Sequence, residues 1–148
     1  MPVSELEQML CDSTAEVLET MFFTSVMGDA VDASSETPWI SARLSFDGRP
    51  SGRFGVRVPL QSGRKIAADF LGLEADAVSD SQIGEVVGEL CNMVCGSVLS
   101  RLEKDCRFDL SHPEIEAPDA TAPDYAARRL LELEDGTLDV WLELPKAL

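Results

Sequence analysis

The chain has 148 residues, 45% of them hydrophobic, and sets 27 acids against 12 Lys and Arg for a formal net charge of −15. That charge argues against nucleic acid and anionic membrane as partners, because both recruit cationic surface. The length and apolar share suit a single domain over residues 1–148 with a core of its own. No apolar run reaches the ~18 residues that a membrane span needs. The opening MPVSELEQML is acidic and lacks the basic start of a signal peptide, so a cytoplasmic location is expected. Four cysteines and a single His fit reduced, buried thiols. Cys91 and Cys95 are four apart, but no second close pair accompanies them, and no metal is expected.

In chain order, Ser4 with Glu7 forms a capping box and predicts a helix running to about Gly28, its C-cap. Leu6, Met9, Leu10, Val17, Met21 and Phe22 make the apolar stripe. Residues 29–38 read as a polar loop. The period then changes to two. Ile40, Ala42, Leu44 and Phe46 alternate with polar residues, Asp47-Gly48 signals a turn, and Phe54, Val56 and Val58 return. This is a hairpin with one buried face. Arg43, Arg49, Arg53, Arg57, Arg64 and Lys65 are half of all the cations, and Asp47 is the only acid among them. They form either a docking patch for an acidic partner or a solvated sheet face. A short helix over 63–71, built around Ile66, Phe70 and Leu71, stops at Gly72.

The most informative stretch is SDSQIGEVVGELCNMVCGSVLSRLE, residues 79–103. Ser79 and Gln82 make a second capping box, and Asp80 adds negative charge at the helix start. Ile83, Val87, Leu90, Val94 and Val98 fall on one stripe, flanked by Val86 and Met93. Glu85, Glu89, Asn92, Gly96 and Glu103 fall opposite, with Glu89 and Asn92 three apart and therefore neighbours. Gly84, Gly88 and Gly96 each weaken a helix interior by ~1 kcal/mol relative to Ala. Two readings of that cost are open: the glycines admit a packed neighbour, or the flat acid-and-amide face is approached closely by another molecule.

After this helix, 104–110 reads as a strand and 111–124 as a Pro-, Ala- and acid-rich loop. His112 lies in that loop with no partner in sequence. The chain closes with a hairpin, in which Leu131 and Leu133 lead to the turn pair Asp135-Gly136 and Leu138, Val140, Leu142 and Leu144 return on the same face. Trp141 points to the other face with Leu130, either toward a partner or under a helix. Helices with an antiparallel sheet make an α+β layer arrangement.

Glu89-Leu-Cys-Asn92, followed by Met93 and Gly96, resembles the E-x-x-N-x-x-x-G signature of the CheC/CheX/FliY chemotaxis phosphatases. The string GELCNMVCGSVLSRL is most similar to the single-motif CheX branch. The likeness extends to FLGLEADAVSDSQ and to EVLETMF, and so covers most of the chain. It implies long helices packed on one side of an antiparallel sheet. It implies Glu89 and Asn92 as the catalytic pair acting on the aspartyl phosphate of a CheY-type response regulator, with Glu85, Gly96 and Ser100 meeting that partner. It implies no cofactor on this chain, with Mg²⁺ expected on the regulator, and no small-molecule substrate. The sheets of such proteins can also join two protomers, so a homodimer is among the expectations. Glu85 stands where family members often carry Asp or Ser, and Pro113 comes a little earlier than the usual downstream Pro. Glu16-Val-Leu-Glu19 reads as a faded copy of the motif, with Glu19 in place of the Asn and Phe23 in place of the Gly. A carboxylate cannot donate a hydrogen bond, so that copy is expected to be inactive. Asn92 is the sole asparagine in the sequence, which leaves one site per chain.

The residues themselves suit a part more than a whole. There is no phosphate-binding P-loop and no G-x-S-x-G. A Glu and an Asn on a convex helix make sense inserted into another protein's centre, where the missing element is an oriented water. The alternative is a non-catalytic module that binds a response regulator, or a flagellar-switch-like module of the same fold.

Overall fold

One helix, α3 (Asp80–Leu102), runs across the middle of the molecule and the other elements are arranged against it. The computed structural model describes residues 3–30, 38–105, 107–116, 127–134 and 136–144. Ahead of α3 come α1 (Val3–Met21), β1 (Val26–Asp29), β2 (Trp39–Asp47), β3 (Gly52–Pro59) and α2 (Leu60–Leu71). After it come β4 (Asp109–Leu110), β5 (Glu114–Glu116), β6 (Ala127–Leu133) and β7 (Gly136–Glu143). Every strand pairing is antiparallel, in the order β1-β6-β7-β3-β2-β4, with β5 also on the outer side of β2. The three helices lie on one face of this sheet, giving the expected α+β fold.

The period-two segments set which face is buried. Ala42, Leu44 and Phe46 of β2 join Phe54, Val56 and Val58 of β3 and Leu138, Val140 and Leu142 of β7 in the core beneath the helices. Ile40 pairs with Val58 and Phe46 with Gly52, so the turn falls at the Asp47-Gly48 signal. Leu131 pairs with Leu138 in the final hairpin. Gly72 ends α2 in the left-handed region at φ 70°, where glycine has no Cβ to clash.

Buried Ile83, Val86, Val87, Leu90, Val94 and Val98 anchor α3 to the sheet and to α1. Both hydrogen bonds of its capping box form: Gln82 N–H donates to Ser79 Oγ at 3.1 Å, and Ser79 N–H to Gln82 Oε1 at 2.9 Å. By length and composition α3 is apolar enough to cross a membrane, but 61% of that stretch is buried inside the protein. It is the core helix of this fold. Cys91 and Cys95 point inward with it, and Cys91 Sγ lies 3.5 Å from the Ala42 carbonyl oxygen. Burial raises both thiols, Cys95 to about 12, so each stays protonated near neutral pH.

Three expectations need correction. The first helix stops at Met21, not Gly28. Phe23 turns left-handed at φ 57°, Thr24 N–H donates back to the Leu18 carbonyl, and the chain then enters β1 against β6. Among the described residues of 104–110, only Asp109 and Leu110 form a strand, β4. Within the expected loop, residues 114–116 pair with β2, Ile115 opposite Ala42. Residues 117–124 of that loop, and Asp135 of the final turn, lie outside the described residues.

Trp141 takes neither of its two expected places. It is buried on the sheet face away from the helices, its ring lying where a side chain on Gly55 of the neighbouring strand would be. Beside it, fully buried Asp139 accepts from Arg57 Nε at 3.0 Å and from Arg128 Nε and Nη2, both at 2.7 Å. Arg57 also stacks 4.5 Å over the Trp39 ring.

Candidate functional site

The sequence-derived site residues all lie on the outward face of α3. Glu85, Glu89, Asn92, Gly96 and Ser100 stand at offsets of 0, 4, 7, 11 and 15, an arc of roughly 80° at 100° per residue. Glu85, Glu89, Gly96 and Ser100 are exposed and Asn92 is half-buried, so both members of the acid–amide pair reach the surface. This arrangement follows from the other side of the helix. The apolar residues saturate the sheet-facing side, which forces the remaining stripe outward. Among the described residues, no side chain hydrogen-bonds or ion-pairs with Glu89 or Asn92.

The three glycines have different surroundings. A Cβ on Gly96 would meet nothing within 4 Å, so the surface beyond Asn92 is bare. Gly84 and Gly88 lie under a neighbour: Ile115 Cγ2 would stand 3.6 Å from a Cβ on Gly84, and Ile115 Cδ1 3.4 Å from one on Gly88. Gly84 and Gly88 therefore face a packed neighbour at a distance that would still admit a methyl group, whereas the surface at Gly96 is open.

A groove of about 560 Å³ opens on the N-terminal side of the pair. One bank is α3, with Glu85 and Glu89, and the other is the segment His112, Pro113 and Ile115. Sequence reasoning missed this second bank because it read the segment as loop. The alternation Glu114-Ile115-Glu116 is shorter than the roughly four to eight residues that mark a strand in sequence. A larger hollow, about 720 Å³, sits at the β2–β3 turn among Asp47, Arg53, Asp109 and Glu143, and contains no residue of the motif.

The faded copy in α1 is occupied with other work. Glu16 pairs with Arg101 of α3, whose other donor reaches Ser13 Oγ at 2.6 Å and Ser97 Oγ at 2.7 Å. This acid joins the two helices. Phe23, at the place of the motif glycine, is 69% exposed and would obstruct a flat approach.

The cluster of cations does not form one docking patch. Arg57 is held on buried Asp139, Arg64 donates to the Val78 carbonyl at 2.6 Å and to Asp80 at 3.2 Å, and Lys65 pairs with Asp69 at 3.0 Å. Arg43 and Arg53 line a polar hollow with Ser111 and Glu114 on the helix-free face.

Comparison with known proteins adds the following. The family model described as "Chemotaxis phosphatase CheX" matches residues 40–127, a span that includes all of α3. A CheX structure from Desulfovibrio desulfuricans is similar over 95% of this chain and 99% of that one, at 20% identity and a TM-score of 0.74. A CheX structure from Vibrio vulnificus is similar over 98% and 99%, at 17% identity and 0.77. In the CheX–CheY–BeF3–Mg²⁺ complex from Borrelia burgdorferi, the matching chain is 16% identical over 94% and 97%, with a TM-score of 0.68. At these identities the likeness is one of fold. A search of curated proteins finds no match.

Proposed function

The chain belongs to the CheX family of chemotaxis phosphatases, and we propose that it hydrolyses the aspartyl phosphate of a CheY-type response regulator, using Glu89 and Asn92 to complete the regulator's own centre. The observation that carries this reading is Asn92. The sole asparagine of the chain reaches the surface on the outward face of a core-anchored helix, three residues from an exposed carboxylate and four from a bare glycine.

The chemistry follows from what a carboxamide can do. Its oxygen accepts from a water and its NH₂ donates, so one side chain fixes both the place and the orientation of the nucleophile. Held in line with the phosphorus, that water meets a loose phosphoryl group for which positioning supplies much of the catalysis. Glu89, with no cation of the described chain engaging it, is available to grip an ammonium group on the partner through a charge-assisted bond, and so sets the register. Gly96 and the small Ser100 let the partner's backbone approach. The acyl phosphate and the Mg²⁺ that neutralises its charge belong to the regulator. The Borrelia burgdorferi complex supports a CheY-type regulator as the partner. There a CheX is bound to CheY together with Mg²⁺ and BeF3, a stand-in for the phosphoryl group. A regulator of this kind is met in the cytoplasm, which is where the chain is proposed to work.

The test is the decay of an acyl-phosphorylated receiver domain with and without the chain. Accelerated phosphate release supports the proposal. Binding without acceleration makes the chain a non-catalytic module.

A further inference from the structure

Gly84 and Gly88 cost α3 helix propensity, and the protein's own packing does not require them. Methyl groups at these positions would meet Ile115 and Pro113 at 3.4 to 3.8 Å, which is ordinary van der Waals contact. What such methyls would occupy is the floor of the groove beside Glu89. That floor is apolar: Ile115 is 45% exposed although it sits between the helix and the sheet edge, and Pro113 and Ile40 continue it. The α3 bank carries the carboxylates of Asp80, Glu85 and Glu89, and among the described residues neither Lys nor Arg lines the groove. Arg64 reaches Asp80 at 3.2 Å, yet the Asp80 side chain stays 85% exposed. An apolar floor with a charged rim has the anatomy of a protein-binding surface. Glu89 belongs to both the groove and the acid–amide stripe, so the two surfaces are continuous.

We propose that this groove is the second half of the docking surface, and that it receives a segment of the response regulator presenting an apolar side chain flanked by Lys or Arg. This rests on the phosphatase reading above. Complementarity selects the occupant: an acidic bank favours a cationic neighbour, and the chain's net charge of −15 steers such a surface toward it. The apolar anchor supplies affinity and the carboxylates supply orientation and rate of encounter.

The experiment measures binding to the cognate receiver domain loaded with BeF3 and Mg²⁺, and turnover of the same domain acyl-phosphorylated. Ile115→Ser and Glu85→Lys should each raise Kd and KM about tenfold while kcat stays within about twofold of wild type. Glu85→Lys should also flatten the dependence of Kd on salt. Glu132→Lys, the same charge change on an exposed residue of β6, should shift Kd by less than about twofold. Gly84→Ala guards against misfolding. It adds helix propensity, so a raised KM in a protein with a higher Tm comes from the filled groove. Unchanged Kd and KM in all three groove variants, with Asn92→Ala still abolishing turnover, overturn the groove and leave the phosphatase reading intact. Wild-type turnover in Asn92→Ala, with affinity still lost in the groove variants, sinks the catalytic pair and supports the groove as a docking site. Loss of self-association in Glu85→Lys with receiver affinity untouched assigns the groove to a second copy of this chain and overturns the proposal.

Discussion

Replacing Gly96 by Ala separates what the helix wants from what the site wants. Gly96 lies inside α3, is exposed, and has nothing within 4 Å of the position a Cβ would take. The added methyl meets no obstacle, and the unfolded chain loses freedom that only glycine has, so the variant should be more stable by ~1 kcal/mol. In a domain of this size that raises Tm by about 2–4 °C. The same methyl stands on the stripe next to Asn92, where the partner's backbone is proposed to approach, so KM for the acyl-phosphorylated receiver should rise. A larger residue such as Gly96→Leu should raise it further. Thermal unfolding followed by circular dichroism and a phosphate-release assay read the two effects independently. A lower Tm would contradict the open space read from the structure. A higher Tm with KM unchanged in both variants would show that nothing docks closely at this position.

Asp139→Ala should cost about 3 kcal/mol in urea unfolding, since it removes the buried acceptor shared by Arg57 and Arg128, whose side chains retain only 14% and 30% exposure, the low end for breaking a buried pair. A cost below ~1 kcal/mol would show that this cluster is not structural. Alkaline pH gives a separate check. Burial raises Cys95 to about 12, so between roughly pH 9 and 12 the unfolded chain releases a proton that the folded state keeps. The stability this thiol contributes is present in full below ~9 and is lost as pH rises toward 12. Urea unfolding at pH 7.5, 9 and 10.5 should therefore fall more steeply for wild type than for Cys95→Ala, and equal slopes would refute the assignment. Arg101→Met should loosen the α1–α3 contact and lower stability by ~1 kcal/mol, read as a shift in urea midpoint, with the Asn92 face unchanged.

What was legible in the sequence was whatever local chemistry decides. Ser79 and Gln82 announced the start of α3, and alternation placed β2, β3 and β7 with the correct face inward, because period and capping act over a few residues. The outward stripe of Glu85, Glu89, Asn92, Gly96 and Ser100 was legible for the same reason. The misreadings came from contacts between distant residues. Nothing near Phe23 predicts a left-handed turn, since the reason to stop is β6, some hundred positions later in the chain. Glu114–Glu116 is too short to declare itself a strand and is held by pairing with β2 and by Ile115 over two glycines of α3. Whether the cations at 43–65 form a patch was left open by the sequence, because proximity along the chain does not reveal their separate partners, such as Asp139 of β7 for Arg57 of β3.

The decisive measurement is the lifetime of an acyl-phosphorylated cognate receiver domain, with Mg²⁺ present, in the presence of wild-type protein, Asn92→Ala and Asn92→Asp. The wild type should shorten it sharply. Both variants should bind the BeF3-loaded receiver yet leave the lifetime at its unassisted value, because one lacks the amide and the other keeps its size without the donor. Shortening by Asn92→Ala equal to that of the wild type would contradict the claim that this amide positions the attacking water.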